Sequence, residues 1–181
     1  MAVAEQIVDI AQELIQKVGF HAFSYRDVAE RIGIRTASIH YHYPTKADLA
    51  SAIVDRVNRN AAEALAEIDK RTVTTPERLR RFCGLFVETW GQGDRLCPIC
   101  MLAMGQDAIP EAARSGVRAF WQGAEAWVAR TVRDGQQRGE LSHRLDPQAT
   151  GSMFVAALEG GMVAARAFSN RAKRFWNWSM A

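Results

Sequence analysis

The run from Phe23 to Lys46 constrains this chain more than any other. It reads as two short helices joined by a glycine. Ser24 suits an N-cap, and Asp27 stands three residues on, in the acidic place of a capping-box variant. Val28, Ala29 and Ile32 repeat at the spacing of one buried face, and Gly33 ends the helix. Thr36 is expected to cap a further helix, with Ile39 facing inward and Pro44 limiting its length. The side chains between those points are short, hydroxylic, basic or aromatic. A bracing helix, a glycine turn and a second helix bearing small polar residues is how a helix-turn-helix enters the DNA major groove.

The flanks extend the pattern. Val3, Ile7, Ile10, Ala11, Leu14, Ile15 and Val18 have helical spacing, and Gly19 stops that helix. Phe20 and Phe23 are expected to plug the small core. Thr45, with Asp48 three residues on, should cap a long helix whose apolar side is Leu49, Ile53, Val57, Ala61, Leu65 and Ile68. Thr72 to Thr75 reads as a break, and Pro76 opens the next helix. Further helices are expected to Trp90, over the short apolar piece Cys97–Gln106, from Pro110 to about Arg138, and from Asp146-Pro147 to about Phe168. A basic-aromatic piece, Arg171 to Trp178, closes the chain. No alternating strand pattern interrupts this, so the expected fold class is all-α. The expected organisation is a helix-turn-helix domain over 1–48, a connector helix over 49–70, and a helical ligand-binding and dimerisation domain over 71–181.

The composition fits. Hydrophobic residues make up 48% of 181, enough for a real core. A formal net charge of +3 is too small to argue for nucleic acid alone, so basic groups must be placed rather than merely abundant. No apolar run reaches the roughly 18 residues of a membrane span, and with Glu5 and Asp9 early in the chain no secretory leader is expected. Three cysteines, an odd number, fit a reducing cytoplasm better than a disulfide framework.

Gly19-Phe20, Ser24, Asp27-Val28-Ala29, Gly33-Ile34, Ile39, the aromatic–histidine run ending at Tyr43, and Thr45-Lys46 through Leu49 fall in register with one pattern. The first 50 residues resemble the N-terminal DNA-binding domain of the tetracycline-repressor (TetR) family. Ala37 and His40 depart from the glycine and tyrosine usual there. Beyond residue 70 the likeness is one of helix number and order only. The resemblance implies a dimeric transcriptional regulator, most often a repressor. A small molecule enters its C-terminal domain and moves the connector helix until the two reading heads no longer match the operator.

In the recognition helix, Thr36, Ala37 and Ser38 are short enough for close approach to base edges. Tyr41, His42 and Lys46 resemble the family's phosphate-contacting set, Lys46 standing in the first turn of a helix. Arg26 and Arg35 suit phosphate or guanine. Ser24, Tyr25 and His40 complete the candidate DNA-binding residues. A spacing of two does not put His40 and His42 on one helical face, so no metal is expected there.

The second half offers fewer signals. Cys97-Pro98-Ile99-Cys100 lacks the second pair that structural zinc needs and the βαβ context of a thioredoxin-like site. It reads first as core, with a helical thiol-redox or metal-binding protein using Cys97 and Cys100 as the alternative function. A helical bundle rich in aromatic residues and methionine can hold a small ligand. Phe86, Trp90, Cys97, Cys100, Met104, Phe120, Trp121 and Glu159 are the candidate ligand contacts, Glu159 as a buried charge. The small residues Gly151, Ala157, Gly160, Gly161, Ala164 and Ala165 are the candidate homodimer surface. There is no nucleophile–base pair, no spaced carboxylate pair and no phosphate-binding glycine loop, so no enzyme and no cofactor is expected. The expected partners are operator DNA, a small-molecule inducer of unknown identity and a second copy of the chain, with no membrane.

Overall fold

The computed structural model describes residues 2–91 and 95–168, with residue 106 described in its main chain only. Every regular element among the described residues is a helix: α1 (Val3–Val18), α2 (Tyr25–Ile32), α3 (Thr36–His42), α4 (Lys46–Arg71), α5 (Thr75–Gly91), α6 (Pro98–Met104), a 3₁₀ turn (Gln106–Ala108), α7 (Glu111–Gln137) and α8 (Pro147–Ala167). The closing piece expected from Arg171 to Trp178 lies outside the described residues. No described helix is long and apolar enough to cross a membrane.

Two compact units result, one of Met1–Arg59 with Arg95–Arg118, the other of Asn60–Asp94 with Ala119–Ala181. In the first, α1 buries Ile7, Ala11, Leu14 and Ile15, and the head closes with Phe20, Phe23, Val28, Ala29 and Ile39. Phe20 and Phe23 meet edge to face, their centroids 6.1 Å apart. The first half of α4 adds Leu49, Ala50, Ile53 and Val54. Arg56 of α4 holds α1 by pairing with Asp9 and donating to Gln12 Oε1 at 2.7 Å and the Val8 carbonyl at 3.2 Å.

The lead-in to α6 is keyed to the same face of the head. Leu96 N–H donates to the Gln16 carbonyl at 3.3 Å, and Gln16 Nε2 returns a bond to the Leu96 carbonyl at 3.1 Å. Glu13 accepts from Lys17 at 2.9 Å and pairs with Arg31 of α2 at 3.3 Å and Arg95 at 3.1 Å. The Lys17 hydrogen bond, aided by the charges of Arg95, Lys17 and Arg31, holds the Glu13 carboxyl below its ordinary range. In the same unit Asn58 Nδ2 joins α4 to α7, donating to the Val54 and Gly116 carbonyls, each at 3.0 Å.

In the second unit α5, α7 and α8 share a core of Phe82, Phe86, Trp127, Val128, Val132, Val155, Leu158 and Met162. Phe82 stacks on Trp127 at 5.3 Å and 17°, and lies 6.1 Å from Phe154. The α7–α8 contact is close because Gly151 has no side chain: a methyl there would sit 2.6 Å from the Glu125 carbonyl oxygen. Asp69, near the end of α4, accepts from Trp127 Nε1 at 3.2 Å and Arg130 at 3.1 Å. The N-terminus of α5 is capped from afar, as Glu140 Oε2 accepts the Thr75 N–H at 2.6 Å.

Candidate nucleic-acid interface

The head is assembled by local chemistry. Ser24 caps α2 in a reciprocal box: its N–H donates to Asp27 Oδ2 at 2.6 Å, and its hydroxyl oxygen accepts the Asp27 N–H at 3.4 Å. The Ser24 N–H first, then the Ser24 hydroxyl, both donating to Oδ2, hold the Asp27 carboxyl below its ordinary range. Gly33, at φ +78° and ψ 32°, ends α2 in the left-handed conformation and turns the chain into α3. The expected Thr36 cap is corrected: Thr36 is the first helical residue, and extended Arg35 holds the N-cap place without a side-chain cap. The Arg35 carbonyl accepts the Ser38 N–H at 2.9 Å. α4 opens on a second box, with Thr45 N–H on Asp48 Oδ2 at 2.9 Å and Asp48 N–H on Thr45 Oγ1 at 3.2 Å.

Around this frame the candidate DNA-binding residues divide. Ala37, His40, Tyr41 and His42 of α3 are exposed, and Tyr41 is 83% exposed. Thr36 and Ser38 are half-buried on the same short helix. Arg35 and Arg26 stand in solvent, Arg26 with only a loose 3.7 Å pairing to Glu30. Ser24 is exposed, with its hydroxyl engaged in the cap.

Tyr25 and Lys46 are placed otherwise. Tyr25 is buried, and its hydroxyl donates to the Tyr43 carbonyl at 2.9 Å. Burial, then the charges of Asp48 and Tyr43, pushes its phenol up to about 12. Its ring meets His40 at 4.8 Å, and His40 Nδ1 lies 3.1 Å from the Pro44 carbonyl. Lys46 is half-buried and donates to the Phe20 and Phe23 carbonyls, each at 2.7 Å. Residue type alone could not separate these two from the exposed residues, because their partners are main-chain carbonyls. The supporting roles of Tyr43, Phe20 and Phe23 carry no sequence signal for the same reason.

The ligand candidates fall in both units. Cys97, Cys100 and Met104 belong to the first. Cys97 is buried at the N-cap of α6, Cys100 is half-buried and Met104 is exposed. Phe86, Trp90, Phe120, Trp121 and Glu159 belong to the second, where Phe86 and Glu159 are buried and the others half-buried. Three contacts there fix the helix register. Thr75 of α5 meets Gly135 of α7, Phe82 meets both Trp127 and Phe154, and Gly151 of α8 meets Glu125. α7 therefore runs antiparallel to α5. One to two turns further along α5, the register brings Phe86 and Trp90 level with the stretch of α7 that carries Phe120.

Of the small residues on α8, Gly151 and Ala165 are buried, Gly161 and Ala164 half-buried, and Ala157 and Gly160 exposed. The exposed pair shares its face with Met153, 72% exposed, and Val163, 45% exposed.

Known proteins agree with this architecture. Residues 7–53 match the bacterial regulatory proteins of the tetR family, and residues 75–177 match the tetracyclin repressor-like C-terminal domain. The HTH-type transcriptional regulator TtgR of Pseudomonas putida is 26% identical over 144 residues, which span 75% of this chain and 69% of TtgR. A TetR-family transcriptional regulator from Agrobacterium tumefaciens superposes with a TM-score of 0.89 at 30% identity, covering 96% of this chain and 91% of that one. A TetR regulator from Legionella pneumophila gives 0.87 at 25% identity, covering 99% and 94%. Nothing in these matches supports the thiol-redox or metal-binding alternative. With both halves matched in order, the chain belongs to the TetR family and is a ligand-responsive, DNA-binding transcriptional regulator.

Proposed function

We propose that this regulator is a cytoplasmic repressor that binds a two-fold-related operator as a homodimer and is released by a small molecule. The observation that carries the reading is the exposed face of α3, held on a capped helix-turn-helix. Thr36, Ala37 and Ser38 meet base edges, while Arg26, Arg35, Tyr41 and His42 meet phosphates or guanine. Ser24 and His40 stand at the rim of that surface. Residues 1–48 form the reading domain, 49–70 the connector and 71–181 the regulatory and dimerisation region. The outward side of α8 supplies the dimer surface: Ala157 and Gly160, continued by Gly161 and Ala164, permit close helix approach, and Met153 and Val163 add apolar area. Within the second unit, Phe86, Trp90, Phe120, Trp121 and Glu159 contact the inducer.

The test selects bound sequences from random duplex DNA with the purified full chain. The expected product is a palindromic site with half-site centres about one helical turn apart, roughly 34–36 Å, or slightly more. Sedimentation should show a dimer that Ala157→Asp converts to monomer. Selection of no sequence, or a monomer at micromolar concentration, defeats the reading.

A further inference from the structure

His40 is exposed on α3, yet one of its two ring nitrogens is already committed. Nδ1 lies 3.1 Å from the carbonyl oxygen of Pro44, four residues on. A carbonyl only accepts, so in this bond Nδ1 carries the hydrogen. Tyr25 meets the ring edge to face at 4.8 Å and helps to hold it in that pose. A neutral imidazole has a single N–H, and here it points back into the α3–α4 turn. Nε2 is then left with a bare lone pair. Such a nitrogen cannot donate to a phosphate oxygen, which is itself a negatively charged acceptor. Only a second proton, on Nε2, makes His40 an outward donor and a cation while the Pro44 bond stays intact.

We infer that His40 is a proton-linked phosphate contact: operator binding takes up a proton on Nε2, one for each reading head. The anion comes from DNA, because the acids of the elements around α3 are held elsewhere. On α2, Asp27 is taken by Ser24 and Glu30 by Arg26. On α1, Glu5 accepts the Ala2 N–H, Asp9 pairs with Arg56, and Glu13 pairs with Lys17, Arg31 and Arg95. In the first turn of α4, Asp48 is taken by Thr45. The phenols nearby stay neutral: burial first, then Asp48 and Tyr43, pushes Tyr25 up to about 12, and burial raises Tyr43. On α3 itself, His42 is the second imidazole and Arg35, at its N-cap, the fixed charge, both exposed. Histidine exchanges its proton between about pH 5 and 8. A phosphate beside Nε2 favours the protonated form, so the affinity it adds is complete in acid and is lost as pH rises through that range. The tyrosine usual at this place would donate its hydroxyl without taking up a proton.

The inference rests on the reading of α3 as the DNA-contacting helix, but one of its tests does not. In the free protein at about pH 8, where a histidine is mostly neutral, the imidazole nitrogen shifts of His40 should show a protonated Nδ1 and a bare Nε2. A proton on Nε2 of the neutral ring would remove the lock, whatever the protein does with DNA. The second test measures operator affinity from about pH 6 to about pH 8, at one salt concentration, for the parent, His40→Gln, His40→Tyr and His42→Gln. Parent affinity should fall at least about fivefold across that range. His40→Gln and His40→Tyr should each stay within about twofold, and His42→Gln should keep the fall. At the alkaline end His40→Tyr should bind more tightly than the parent, because its hydroxyl donates without a proton being taken up. A parent indifferent to pH, or a fall undiminished in His40→Gln, would overturn the inference. A parent that binds no DNA would sink the proposed function and the proton linkage with it, while the nitrogen shifts would still report the lock.

Discussion

Gly151→Ala should destabilise this protein, although the same change elsewhere in a helix stabilises it. In a helix interior, alanine is favoured over glycine by about 1 kcal/mol. Gly84 of α5 shows that term alone, since a methyl there meets nothing within 4 Å. At Gly151 the methyl would lie 2.6 Å from the Glu125 carbonyl oxygen and 3.4 Å from both Ala129 Cβ and Ala129 N. The obstacle is the main chain of α7, which cannot rotate away as a side chain could. Relief requires moving α8 off α7, and overpacking of that kind costs roughly 1–3 kcal/mol. The propensity gain is common to both variants, so their difference isolates the collision at roughly 1–3 kcal/mol. For a chain of this length each kcal/mol moves Tm by roughly 2–4 °C, so Gly84→Ala should melt at least about 2 °C above Gly151→Ala. Thermal melts and urea midpoints at one protein concentration measure this. Equal or reversed midpoints would refute the close α7–α8 approach as the reason for glycine at 151.

Tyr25→Phe removes the donor to the Tyr43 carbonyl while keeping the ring, and should cost about 1 kcal/mol in a urea titration. It should also weaken operator binding relative to binding of unrelated DNA; an unchanged ratio would deny Tyr25 its part in posing α3. For Glu140, the Arg138 hydrogen bond first and the Thr75 N–H second depress the carboxyl pKa from 4.5 to about 2. Its contribution to stability is therefore complete above about pH 4.5 and is lost as pH falls toward 2. Glu140→Gln should flatten the acid limb of the stability–pH curve in that window, and an unaltered limb would contradict the assignment.

What the sequence makes legible here is mostly local. Both capping boxes lie within four residues, and Gly19 and Gly33 act on the helices they end, so they can be read directly. Thr36 reads as a cap yet opens the helix, because Arg35 fills the N-cap position with its backbone alone. Long-range partners leave no such trace. Nothing near Thr75 announces that its N–H is capped by Glu140, sixty-five residues away. The chemistry of Lys46 and Tyr25 suits DNA as well as it suits a carbonyl, and only the folded head shows which atoms they reach. On α8 the small residues could be recognised as a set, but their division between the α7 contact and the outward face depends on helix register. Glu159 could be picked out as a candidate buried acid because it lies between Ala156-Ala157-Leu158 and Gly160-Gly161, and it is buried.

Glu13 and Gln16 have a consequence for anyone who would transplant this reading head. Glu13 binds Arg31 within the head and Arg95 beyond it, and Gln16 exchanges two hydrogen bonds with Leu96. A chimera joined at residue 48 would sever both attachments at once. It would take one of three cationic partners from the Glu13 carboxylate, and leave the carboxamide and main-chain carbonyl of Gln16 looking for partners that the foreign half was never shaped to offer. A graft that carries the segment from Arg95 through Met104 along with the head keeps those groups satisfied. The portable part of this regulator is therefore discontinuous in sequence, and a splice drawn along the chain cuts through it.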